Sequence, residues 1–123
     1  MPLPRLNVHR YDQATRTRVT LAGEIDRATA PLVLTALAAC LRDGIRTADV
    51  DLTAVTFCDV SGLNVFLTAS WLATEGGATL RLHHPPPILT RMIRITGSGS
   101  VLHEVHGVRP RPPRVPTIAG GAP

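Results

Sequence analysis

Apolar residues recur along this chain at two periods, and each change of period marks the edge of an element. From Leu6 to Tyr11 and again from Arg18 to Ile25 the pattern is that of a strand, with the polar turn DQATRT between them. In the second run Val19 and Leu21 alternate with Arg18, Thr20 and Ala22, as in a strand with one covered face. Residues 30–43, APLVLTALAACLRD, switch to helical spacing through Leu34, Leu37, Ala38 and Leu41; Pro31 suits the first turn and Gly44 a stop. Ala48 to Ala54 alternates again, Val50 and Leu52 to one side and Asp49, Asp51 and Thr53 to the other. Leu63 to Thr74 predicts a helix whose wide apolar set, Trp71 included, implies deep packing, closed by Gly76 and Gly77. Ala78 to Leu82 reads as a strand, 87–95 as a shorter helix, and Val101 to Val105 as a last short strand.

The order β-β-α-β-α-β-α-β predicts an α/β domain. Strands joined through helices become parallel neighbours by right-handed crossovers, while the opening hairpin is antiparallel. Strands that alternate cleanly need only one buried face, so the expected architecture is a mixed sheet with helices on one face. The domain is expected to span residues 1–106. Beyond it, GVRPRPPRVPTIAGGAP is rich in Pro and Gly without apolar periodicity, so 107–123 is expected to be a disordered or polyproline-like tail.

Composition narrows the chemistry. With 123 residues the chain suits one domain. All 13 basic residues are Arg, which excludes any mechanism that needs a lysine amine. Three of those charges, Arg109, Arg111 and Arg114, lie in the tail; without them the net charge of +4 falls close to neutral. No basic cluster is interleaved with aromatic residues, so direct nucleic-acid binding is not expected. Cys40 and Cys58 form no CxxC motif and are expected to be buried thiols. The opening MPLPRLNVHRY has no apolar run of signal-peptide length and no stretch reaches the length of a membrane span; a cytoplasmic protein is expected.

Several reactive constellations fail on particular residues. There is no GxGxxG and no phosphate loop. His83 and His84 are adjacent and would point to opposite faces of a strand, and His103 and His106 have only Glu104 beside them and no Cys nearby, so neither a metal nor any other cofactor is expected. Ser61 sits at a strand-to-helix junction, yet Asp59 and Leu63 occupy the positions where a nucleophile elbow needs glycine. A receiver domain would put a phosphorylated Asp near Asp59, but that chemistry needs a lysine and a second acid beside Asp12, and both are missing.

What remains is the junction itself, VTFCDVSGLNVF at 55–66, together with LAGEID at 21–26. Both stretches, in register within this element order, resemble the STAS family and specifically the bacterial anti-anti-sigma factors. There a G-E-[LI]-D turn follows an early strand and T-F-x-D-[ST]-[SA]-G-[LI] follows a later one. This chain supplies Gly23, Glu24, Ile25 and Asp26, then Thr56, Phe57, Asp59, Ser61, Gly62 and Leu63. The resemblance covers roughly residues 6–106. It departs at Val60, where the family usually has a hydroxyl residue.

The resemblance implies a binding module rather than an enzyme. Its partner would be an anti-sigma factor that is also a serine kinase, with ATP and magnesium held by the partner. Unmodified protein would bind the kinase and release a sigma factor, and phosphorylation of Ser61 would end the binding. Glu24, Asp26, Asp59, Val60, Gly62 and Leu63 would form the docking surface. Physically, Ser61 stands where a helix cap could stand, but a cap alone accounts for neither Gly62 nor Asp59. A helix start carries unpaired N–H groups and partial positive charge that could hold a phosphate, and Gly62 would let a partner approach closely. A non-switching STAS scaffold or ligand sensor is the alternative; the chain is expected to be a monomer, at most a weak dimer.

Overall fold

The computed structural model describes residues 5–100 and the strand pair 105–106. The chain opens with a hairpin, β1 (Leu6–Gln13) and β2 (Arg16–Ile25), and continues through α1 (Ala30–Arg42), β3 (Thr47–Cys58), α2 (Val60–Glu75), β4 (Thr79–His83), α3 (Pro87–Thr96) and β5 (Val105–His106). The strands form one sheet in the order β1-β2-β3-β4-β5. β1 pairs antiparallel with β2, and every later neighbour is parallel, giving the expected mixed sheet.

The alternation seen in the sequence becomes two faces. Val19 and Leu21 of β2, Val50 and Leu52 of β3, and Leu80 and Leu82 of β4 are buried against the helices. The intervening residues Arg16, Arg18, Asp51, Thr53 and Thr79 stand on the other face, together with the more deeply seated Asp49. α1 contributes Val33, Leu37 and Cys40 to the core, and α2 contributes Leu63, Phe66, Ala69 and Ala73. Phe66 is the largest fully buried side chain among the described residues. Both cysteines are buried free thiols, and burial pushes the Cys58 thiol up to about 12.

Three expectations need correction. β3 runs on past Ala54 to Cys58, because Val55 and Cys58 still face the core and pairing with β2 continues to Ile25↔Cys58 across two irregularities in register. α2 begins at Val60, three residues before the expected start at Leu63, because Asp59 supplies the cap that starts it. Trp71 is 59% exposed rather than deeply packed. The buried positions Leu63, Phe66, Ser70 and Ala73 run down one stripe at helical spacing, and Trp71 lies one position, 100° of rotation, away from it. Of the expected last strand, residues 101–104 lie outside the described residues, as does the tail; the strand that is described is Val105–His106. Among the described residues no helix is long and apolar enough to cross a membrane, and no group of three His, Cys, Asp or Glu side chains could hold a metal.

Candidate functional site: the serine at the start of α2

β2 and β3 end side by side, and the connections that leave them build the site. Ile25 pairs with Cys58, Glu24 with Phe57, and Asp59 N–H donates to Ile25 C=O at 3.1 Å. This last bond ties the β3–α2 junction to the β2–α1 loop. It brings the two motifs, 33 residues apart in sequence, to one end of the sheet.

Asp59 is the N-cap of α2. Its backbone is extended (φ −105°, ψ −168°), its Oδ1 accepts from Ser61 N–H at 2.8 Å, and its C=O accepts from Gly62 and Leu63 N–H at 3.0 and 3.3 Å. Ser61 is therefore the second residue of the helix and not its cap. Its half-buried side chain makes no hydrogen bond among the described residues. The N–H groups of Ser61, Gly62 and Leu63 are already taken by Asp59, so these three are not vacant donors waiting for a phosphate. The partial positive charge of the helix start remains.

Gly62 and Leu63 are corrected as surface residues. Leu63 is 2% exposed and belongs to the core. Gly62 is buried too, and a Cβ built there would collide with Cys58 Sγ and stand 2.9 Å from Ile25 Cγ2. The glycine is required because the first turn of α2 lies directly against the ends of β2 and β3. Val60, by contrast, points outward and is 55% exposed, and Phe57 on the adjoining strand end is 44% exposed.

Asp26 organises the neighbouring loop. Its Oδ1 accepts from Ala28 and Thr29 N–H at 2.9 and 3.1 Å, and its own N–H donates to Thr29 Oγ1 at 2.9 Å. This is a reciprocal capping arrangement, Asp-x-x-Thr, leading into α1. Arg5 ion-pairs with Asp26 and reaches Glu24 at 3.4 Å. Burial pushes the Asp26 carboxyl up, but the bonds from Thr29, Arg5 and Ala28 outweigh it and hold the group below the ordinary carboxylate range. Asp26 is thus already engaged as a turn former. Sequence reasoning missed Arg5 and Thr29. The Asp26/Thr29 spacing ahead of a proline-started helix was a readable signal for Thr29, whereas nothing local announces Arg5, whose partners lie 19 and 21 residues away.

The site that results is a hydroxyl without an internal partner, set at a helix start between an exposed apolar rim (Phe57, Val60) and a carboxylate cap. Among the described residues no histidine or second acid engages the serine to activate it. The mixed five-stranded sheet with helices between its parallel strands makes the chain an α/β module. The family model described as "Mlab, STAS domain" matches residues 9–103, and the chain belongs to the STAS-domain family. No curated protein sequence matches it. Among solved structures, an anti-sigma factor antagonist from Mycobacterium paratuberculosis is 23% identical, with a TM-score of 0.71 over 86% of this chain and 91% of that one. The anti-sigma factor antagonist SpoIIAA in its unphosphorylated form is 15% identical, with a TM-score of 0.68 over 80% of this chain and 88% of that one. The Bacillus cell fate determinant SpoIIAA in its phosphorylated form is also 15% identical, with a TM-score of 0.65 over 80% of this chain and 91% of that one. At these identities the likeness is one of fold.

Proposed function

We propose that the chain is an anti-anti-sigma factor. It binds an anti-sigma factor with serine kinase activity, releases the sigma factor that the kinase holds, and is switched off when Ser61 is phosphorylated. It is a binding module and a kinase substrate, with ATP and magnesium bound by the partner. The observation that carries the reading is the Ser61 hydroxyl, without an internal partner at the start of α2 and bordered by the exposed side chains of Val60 and Phe57. Structural neighbours named as anti-sigma factor antagonists, one of them in a phosphorylated form, support it.

Docking belongs to the exposed part of the junction: Val60, the edge of Asp59, and Glu24 and Asp26 beyond Arg5. A phosphate on Ser61 adds about −1.5 to −2 charges to a surface that must be desolvated on binding. A cost of about 3 kcal/mol would weaken binding more than a hundredfold. The test is incubation with the cognate anti-sigma kinase, ATP and magnesium, followed by phosphosite mapping and titration. Ser61→Ala should bind persistently and keep the sigma factor free, while Ser61→Asp should bind poorly. Phosphate on Thr56 or elsewhere, with Ser61→Ala still released by ATP, would overturn the proposal. Full binding before and after ATP in every variant would return the chain to a non-switching scaffold.

A further inference from the structure

The face of the sheet opposite the helices carries its charges in ordered rows. Register places Tyr11, Arg18, Asp49 and Arg81 side by side across four strands, and Gln13, Arg16, Thr47 and Thr79 in the next row toward the β1–β2 turn. The charged groups pair diagonally. Arg16 Nη2 donates to Asp49 Oδ2 at 2.8 Å, Arg18 Nη1 reaches Asp51 Oδ2 only at 3.5 Å, and His83 Nε2 meets Asp49 Oδ1 at 2.8 Å. Asp49 is the one carboxylate among the described residues counted as buried. Burial pushes its carboxyl up, and His83 and Arg16 more than offset this, so it stays ionised.

A solvated charge ladder needs no buried acid, and this face has one at the floor of a recess that opens to solvent. A cavity of about 240 Å³ is lined by Tyr11, Gln13, Arg16, Thr17, Arg18 and Asp49. Asp49 takes up one nitrogen of the Arg16 fork; Nε and Nη1 make no other hydrogen bond among the described residues, and neither do the Tyr11 hydroxyl and the Gln13 amide. With Asp49 already satisfied by two neighbours, Arg18 is the charge left weakly compensated. The volume lies below the roughly 300 Å³ of sites for drug-sized ligands, so the occupant is small.

We propose that this cavity is an anion site for a small phosphate monoester bearing a ring. Arg16 and Arg18 take the phosphate, because two planar forks of N–H donors match its oxygens. Asp49 and His83 fix the Arg16 end of that pair. The Tyr11 ring, exposed beside Arg18, carries the organic part, and the Gln13 amide offers a neutral polar contact. The site is independent of Ser61. Arg18 lies seven residues before Ile25 along β2, roughly 23 Å from the strand end where α2 begins.

The experiment is an NMR titration of the isotope-labelled full chain with phenyl phosphate, inorganic phosphate and phenol as probes. Phenyl phosphate should shift the amides of residues 11–18 and 49 saturably, inorganic phosphate should shift the same amides with lower affinity, and phenol should shift none of them. Arg18 is exposed and reaches Asp51 only at 3.5 Å, so Arg18→Gln keeps the fold, while Arg16→Gln takes a partner from the buried Asp49 and its fold is checked by circular dichroism; each should weaken phenyl phosphate by about tenfold or more. Tyr11→Ala should bring phenyl phosphate down to the affinity of inorganic phosphate, and Ser61→Ala should change nothing. Shifts that never saturate, that centre on Val60–Leu63, that phenol reproduces, or that survive Arg18→Gln unchanged would each overturn the proposal.

Discussion

Replacing Gly62 by alanine separates two reasons for a glycine beside the candidate phosphoacceptor. On helix propensity alone the change should help, since Gly costs about 1 kcal/mol relative to Ala inside a helix. The structure sets a steric cost against that gain. The added methyl would collide with Cys58 Sγ and lie 2.9 Å from Ile25 Cγ2, and both neighbours are fully buried, so neither can swing into solvent. Forcing a methyl into a packed site costs about 1–3 kcal/mol, more where backbone must shift. Because the contact falls well inside normal packing distance, the upper part of that range applies, and the net loss should be about 1–2 kcal/mol. For a domain of this size that lowers the melting temperature by roughly 4–10 °C.

The assay is urea and thermal unfolding of Gly62→Ala, Cys58→Ala and the double variant. Cys58→Ala alone loses packing, but it also removes the atom that the new methyl strikes. The double variant should therefore be less unstable than the sum of the single variants, by about 0.5 kcal/mol or more, within the range seen for residues in contact. A Gly62→Ala protein that melts higher than the parent, with no coupling to Cys58, would refute the packing argument. It would leave access by a partner as the reason for the glycine.

Three further outcomes follow from the same geometry. Asp12, Asp26, Asp49 and Asp51 all titrate below their ordinary value in the folded chain, so the stability they contribute is present above about pH 4 and is lost as pH falls through their folded pKa values; urea midpoints between pH 6 and pH 2 should drop, more shallowly in Asp49→Asn. Cys58 is fully buried and its thiol is pushed up to about 12, so iodoacetamide at pH 8 should leave it unmodified in the native protein and label it in denaturant; labelling at equal rates would contradict the packing of the junction. Truncation after residue 106 should leave the melting temperature within a few degrees of the full chain, since 107–123 carries no apolar periodicity with which to join a core.

The sequence showed the periods of the elements far better than their ends. The alternation of Val19 and Leu21, and the helical spacing of Leu34, Leu37 and Leu41, can be read locally because each reflects one face of one element. The start of α2 could not be read in this way. Val60, Ser61 and Gly62 are poor helix formers, and they are helical because the Asp59 carboxylate and carbonyl take up the N–H groups of Ser61, Gly62 and Leu63. The burial of Leu63 and Gly62 depends on where β2 ends relative to β3, a tertiary relation that two short motifs do not encode. The same holds for Arg5 on Asp26 and for the Arg16–Asp49–His83 ladder, which exist only through the register of strands distant in sequence.

The occupied donors at the helix start change how a switch at Ser61 would work. A phosphate there does not find the N–H of Ser61 vacant, because Asp59 Oδ1 already holds it at 2.8 Å. It must either compete with Asp59 for the bond or stand beside a carboxylate of the same sign. A separation of roughly 6 Å corresponds to about 0.7 kcal/mol per pair of unit charges in water and about 3 kcal/mol at an effective dielectric of 20. In the free protein water screens most of that repulsion, so the modified chain stays folded. Against a partner the same two charges are desolvated together, and the repulsion grows where binding would have to occur. On this reasoning Asp59 has two opposed effects. It caps α2 and so holds Ser61 in place, and it amplifies the penalty that phosphorylation imposes on docking. Asp59→Asn, which keeps a capping oxygen but removes the charge, should therefore fold normally and, once phosphorylated on Ser61, retain more affinity for the partner than the phosphorylated parent. Equal loss of affinity in both would show that the charge of Asp59 has no part in the switch.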